Sequence, residues 1–243
     1  LIGVAISTAA FPKMTERLGQ GRPDLFKKEL QAVLRVIIWL ALPVTVIAYF
    51  ARGYLVNFIQ NGGDQYMASI LAILALTILF RSIYFISARS FYAQQDTKTP
   101  LYISIFTISL NIGLAIWFSM GLSMGVYGLA WAAVIVSAVE VGILFFIMSR
   151  RINGLFDTVF VNAVTRMASA AGFMAIAAYI LVSMFPLNAA DQSFFSSFPK
   201  FTLIVGISAV VYIIICRLFR IEEVNPILKR IRTILFKEPS VKE

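Results

Sequence analysis

At 243 residues the chain is long enough for one large domain or two small ones. Composition excludes an ordinary soluble domain: 60% of residues are hydrophobic, 14% are charged, and mean hydropathy is +0.86. Soluble domains average about 45–50% apolar and about 25% charged. The net charge of +9 would suggest nucleic acid in a soluble protein, so its distribution along the chain has to be read first.

The first apolar run, Leu1–Phe11, is about half of the roughly 20 residues that a span needs. Nothing basic precedes it and no small-residue cleavage site follows, which argues against a signal peptide. It reads as the second half of a transmembrane helix, and the chain as a fragment beginning inside a span. Six full runs follow, at about 31–51, 66–90, 101–120, 125–148, 164–185 and 200–219. The connectors between them are 12–30, 52–65 with its turn signal "NGGDQ", 91–100, "GLSM" at 121–124, 149–163 with "SRRING", and 186–199. A basic tail, 220–243, closes the chain. In 91–100, "FYAQQDTKTP", Phe91 and Tyr92 suit an aromatic belt. Thr99 is expected to cap the next helix, with Pro100 at its first position.

Numbering connectors alternately puts 18 of the 21 Lys and Arg residues on one side, at or near 12–30, 91–100, 149–163 and the tail. Only Arg52 and Lys200 fall on the other side, and Arg81 lies inside a run. The basic side is expected to be cytoplasmic. The positive charge is thereby a topology signal, and no nucleic-acid partner is expected.

Charged residues inside spans are functional candidates. Arg81 and Glu140 both lie well inside their runs. Either they form a structural interhelical ion pair or snorkel, or one or both line a solute path. We expect them to meet, because each alone carries a large desolvation cost. Pro43 in "WLALPVTVIAYF" removes a helical hydrogen bond and is the hinge candidate. Asn111 is expected either to hydrogen-bond a neighbouring helix or to serve as an ion or substrate ligand. "GVAISTAA" at 3–10 and "GLAWAAVI" at 128–135 are weakly alike and rich in small residues that permit close helix contact. Cys216 is alone, so no intrachain disulfide forms, and it reads as a small apolar packer. With no histidine, the commonest zinc ligand is missing. No catalytic constellation, metal spacing or phosphate loop is present, and neither an enzyme activity nor a cofactor or metal is expected.

Four segments carry a family resemblance. "GVAISTAAFPKMTERLGQG" (3–21) resembles the end of the eighth helix of the MurJ (MviN) lipid II flippases and the loop after it. "LRVIIWLALPVTVIA" (34–48) resembles the ninth helix, including its Pro43. "ARSFYAQQDTKTPLYIS" (88–104) resembles the turn between the tenth and eleventh, and "GVYGLAWAAVIVSAV" the start of the twelfth. The resemblance covers about residues 1–220. It implies an all-α polytopic transmembrane bundle: six full spans plus a truncated first one, similar to the second lobe of an exporter of the multidrug/oligosaccharide-lipid/polysaccharide superfamily. Residues 1–151 match helices eight to twelve, 152–220 two additional helices, and 221–243 a basic cytoplasmic tail.

The implied work is movement of lipid II, or a related undecaprenyl-diphosphate-linked lipid, across the bacterial inner membrane by alternating access. The implied topology is multi-pass with a cytoplasmic C-terminus. The implied partner is an N-terminal lobe that this chain lacks, and a fragment without it is expected not to flip lipid alone. The last two helices are implied to form a lipid-facing groove for the polyprenyl tail. Some members bind a cation through an Asn and an Asp one turn later; Asn111 matches the first, but Ala115 stands at the second. The competing readings are another exporter of the superfamily, such as an O-antigen flippase or a drug exporter, and a membrane scaffold without transport.

Overall fold

The computed structural model describes residues 2–60, 62–187 and 194–224. Among these, eight α-helices account for nearly all regular structure: α1 (Ile2–Gly19), α2 (Pro23–Phe50), α3 (Arg52–Ile59), α4 (Gln65–Ala93), α5 (Lys98–Ile116), α6 (Val126–Arg151), α7 (Thr158–Met184) and α8 (Phe194–Leu218). A π-helical turn, Trp117–Gly121, extends α5, and a short 3-10 turn covers Glu222–Val224. Six helices are long and apolar enough to cross a membrane: α2, α4, α5 with its π turn, α6, α7 and α8. The fold is an all-helical bundle of the polytopic class.

The helices outrun the apolar runs, and two expected connectors are corrected. The stretch 12–30 is mostly helix: α1 continues to Gly19 with Pro12 inside it, and α2 begins at Pro23. "PDLFKKEL" starts a helix well, with proline at its first position and Asp24 in its first turn. Only 20–22 separate the two helices. The segment 52–65 contains α3, and the Asp64 carboxylate accepts from the Tyr66 N–H at 2.8 Å to open α4. Polar composition ended the apolar runs but not the helices.

The turn at 91–100 corrects a third expectation, because Thr99 is not the cap. Asp96 is: its carboxylate accepts from the Thr99 N–H at 2.9 Å and the Thr99 hydroxyl at 2.7 Å. Gln95 stands at φ 60° and ends α4, with its N–H on Tyr92 O and the Asp96 N–H on Phe91 O. That is a Schellman closure with glutamine where glycine is usual. Arg151, at the end of α6, then locks the turn by an ion pair to Asp96 at 2.6 Å, a hydrogen bond to Thr99 Oγ1 at 3.0 Å, and a position over the Phe91 ring.

Helices in lipid gain little from hydrophobic transfer between them, so close packing and hydrogen bonds decide who pairs. α2 is central, burying Phe26, Leu30, Leu34, Ile37 and Trp39 against α1, α4 and α7. α6 packs between α4 and α5, and α8 lies mainly on α7. Glycines permit two close crossings. A Cβ on Gly3 would fall 2.9 Å from Ser82 Cα, and one on Gly128 would fall 2.7 Å from the Phe118 and Ser119 backbone. These glycines open the two weakly similar small-residue segments.

α2 runs through Pro43 without interruption. Proline has no N–H for the carbonyl of Trp39 one turn back. The Tyr212 hydroxyl of α8 donates to that carbonyl at 2.9 Å, and Cys216, one turn on, is fully buried. Thus α8 is tied to the place where α2 lacks a backbone bond.

Contacts between connectors fix which helix ends share a side. Lys13 pairs with Glu29 at 2.8 Å, Gln31 donates to Leu155 O at 2.7 Å, and Arg151 holds Asp96. At the opposite end the Tyr54 hydroxyl donates to Phe185 O, and Asn57 donates to Ser197 at 2.9 Å. Of the basic tail, 225–243 lies outside the described residues, as do 188–193 of the connector 186–199.

Candidate functional site

Arg81 and Glu140 meet as expected. Arg81 Nη1 donates to Glu140 Oε2 at 3.2 Å across α4 and α6. Arg81 is 16 residues from the start of α4 and 12 from its end, by the limits of that helix. At 1.5 Å per residue that places it about 18–24 Å from either end, near mid-span. The Glu140 side chain is 5% exposed and that of Arg81 is 52%. The carboxylate is therefore buried, and the guanidinium is half exposed.

Glu140 is satisfied from a third helix. Its Oε1 accepts from the Thr107 hydroxyl at 3.2 Å and, at the 3.5 Å limit, from Ser104. The Ser104 hydroxyl lies 3.3 Å from that of Tyr84, one turn beyond Arg81 on α4. Arg81 also stands 5.9 Å from the Tyr84 ring centroid. The spacings explain the assembly. Arg81 and Tyr84 are three apart on α4, and Ser104, Thr107 and Asn111 follow the i, i+3, i+7 rule on α5, so each set shares a face. α6 is the middle helix and is far more buried than α5. Glu140 consequently reaches both neighbours.

Asn111 continues the polar face of α5 but is half-buried and forms no side-chain hydrogen bond among the described residues. The expected bond to a neighbouring helix is absent. Ala115, also half-buried, brings no ligand atom one turn on.

Chemically, the cluster is a buried carboxylate paired with one arginine and hydrogen-bonded by two hydroxyls. Arginine has five N–H donors. The pair to Glu140 uses one of them, and the rest of this half-exposed group faces outward. Ser104, Thr107 and Tyr84 were missed because single hydroxyls are common in spans; their face became significant only once Glu140 was placed opposite.

A second feature is wholly apolar. A groove of about 310 Å³ lies between α2, α4, α6 and α7, lined among others by Leu42, Leu79, Phe145 and Phe160. α7 contributes to it, but α8 does not. The groove implied by the resemblance lay between α7 and α8, so this one differs in its second wall.

Comparison with known proteins places these features in a family. The family model described as "Lipid II flippase MurJ" matches residues 1–203. The chain belongs to this family. Among curated relatives, the "Probable lipid II flippase MurJ" of Thermotoga maritima is 23% identical over 236 residues, covering 95% of this chain and 45% of that protein. That of Borreliella burgdorferi is 26% identical over 155 residues, 61% of this chain and 30% of that protein. The Haemophilus influenzae protein of the same name is 33% identical over 134 residues, 49% of this chain and 26% of that protein. The chain thus spans less than half the length of each of these MurJ relatives. The MurJ match extends from α1 into α8, a range that includes the turn at 91–100 and the Arg81–Glu140 cluster.

Proposed function

We propose that the protein encoded with this chain translocates lipid II, or a closely related undecaprenyl-diphosphate-linked lipid, across the bacterial inner membrane. It does so as a carrier, without catalysis, by alternating access. The observation that carries this reading is the family match over 1–203 of 243 residues. We take 1–151 as a transport lobe, 152–220 as an added helix pair and 221–243 as a cytoplasmic tail. The basic ends of α1, α4, α6 and α8 lie on the cytoplasmic side, because 18 of the 21 cationic residues gather there.

In this reading the exposed donors of Arg81 offer charge-assisted hydrogen bonds to an anionic headgroup. Glu140 holds the guanidinium in place, and Asn111 extends the same polar face. The apolar groove beside α7 is suited to a polyprenyl segment. Pro43 is the point where α2 bends when the lobe rocks.

The test is genetic. A bacterium depleted of its own lipid II flippase is given the gene that encodes this chain. Survival, and lipid II on the outer leaflet, are expected. Lysis despite normal membrane insertion would remove the reading.

A further inference from the structure

A third feature lies apart from the mid-span cluster. Where α7 begins and α8 ends, a cavity of about 260 Å³ opens between α2, α7 and the segment after α8. Its polar lining is Arg35, Asn162, Arg166, Arg220, Glu222 and Glu223. Gln31, one turn before Arg35, donates to Leu155 O and to Asp157 at the start of α7. Arg35 is therefore level with the first turns of α7 and lies near the start of the apolar run 31–51, where headgroup depth is expected.

The donors in this cavity are largely unused. Arg35 Nε faces Glu223 Oε1 at 3.3 Å as an ion pair, but without hydrogen-bond alignment. Arg166 reaches only Phe219 O, at the 3.5 Å limit. The Arg220 guanidinium makes no hydrogen bond or ion pair among the described residues. Three guanidinium groups, each with five donors, thus converge on one hollow. Of the two carboxylates, Glu223 is engaged by Arg35 and only 9% exposed, whereas Glu222 is exposed and also lines the cavity, leaving three arginines against two carboxylates. Arginine's planar fork matches a phosphate bidentately. Val159 and Ile221 give the cavity an apolar wall, as a lipid headgroup site needs below its phosphate.

We propose that this cavity is a phosphate-binding site at the membrane surface, in which Arg35, Arg166 and Arg220 hold one phosphate group. Basic pockets between transmembrane helices take anionic lipid headgroups by the same chemistry. The phosphate can come from an anionic phospholipid or from soluble phosphate, and the test separates them. Arginines that merely face headgroup water would give charge attraction without a single saturable site.

The protein is placed in nanodiscs of phosphatidylcholine and titrated with phosphatidylglycerol, with bound lipid counted by native mass spectrometry. One phosphatidylglycerol is expected to saturate at tight occupancy. The double variant Arg166→Gln/Arg220→Gln should weaken it about tenfold or more. Both side chains are exposed, so the melting temperature should stay unchanged. Arg166→Lys keeps the charge but loses the fork, and should show a smaller loss in the same direction. In a second arm, inorganic phosphate is titrated by calorimetry into phosphatidylcholine discs. Saturable binding with the same arginine dependence, and displacement of the lipid, would make soluble phosphate the occupant. If neither probe binds at one site, or if the arginine variants bind both as well as the parent, the proposal is overturned.

Discussion

Arg81 and Glu140 form an unequal pair, and the inequality is testable. Removing Arg81 strands a buried carboxylate, whereas removing Glu140 leaves a guanidinium already half in the open. Arg81→Leu should therefore cost about 3–5 kcal/mol, the range for breaking a buried pair. Glu140→Leu should cost on the order of 1 kcal/mol, as for an exposed pair. The double variant should be no worse than Arg81→Leu alone. Thermal unfolding in detergent, treated as a double-mutant cycle, reads this; additive losses would separate the two residues. Asp96 gives a pH prediction. The Thr99 hydroxyl and N–H, with Arg151 beside them, hold its carboxyl down from 3.8 to about 2. A depressed folded-state pKa contributes stability above the unfolded value and loses it as pH falls through the folded one. Asp96→Ala should lower stability by about 0.5–2 kcal/mol at neutral pH, as loss of a cap does. That deficit should shrink as pH drops from about 4 to about 2. A deficit unchanged down to pH 2 would mean the carboxylate charge is irrelevant to the turn.

Pro43 shows what an element gains from its neighbours. The carbonyl left free by the proline accepts from Tyr212 of α8, so the two residues should be coupled. Tyr212→Phe should destabilise by about 1–2 kcal/mol, since it orphans a buried carbonyl. In a Pro43→Ala background, where position 43 regains an N–H that can bond that carbonyl, the same change should cost clearly less. Equal costs in both backgrounds would disconnect them. Nothing in the local sequence joins Tyr212 to Pro43, because α8 returns to α2 only after the five helices α3 to α7. The six spans were legible because apolar runs of about 20 residues have few other uses. Their ends were not, because polar residues such as those of "PDLFKKEL" are good helix formers outside the hydrocarbon. The Arg81–Glu140 pairing was legible from the cost of isolated charge. Asp96 was overlooked as the cap, since "DTKTP" offers three capping candidates and only the backbone decides among them. The hydrophobic pattern carried no hint of the hydroxyls on Glu140, each of which reads alone as an ordinary span residue.

The whole molecule is a bundle whose middle helix, α6, reaches α4 on one side and α5 on the other, with α7 and α8 attached through α2. That arrangement leaves the Arg81 guanidinium half exposed at mid-span instead of sealing it inside. Under the proposed function, this half-exposed cation is the group offered to the anionic headgroup. Topology is the first check at this scale. With Cys216 replaced, a cysteine at position 96 should react with an impermeant reagent only after cells are opened, and reaction from outside would invert the bundle. The central claim is that this family member moves lipid II and uses Arg81 to do so. The most direct measurement is translocation of fluorescent lipid II in proteoliposomes containing the complete product of the encoding gene. The account predicts protein-dependent translocation that falls at least about tenfold in Arg81→Gln, the loss of one charge-assisted contact, with phosphatidylcholine left behind. Translocation no faster than in protein-free vesicles, or a rate indifferent to Arg81, would contradict it.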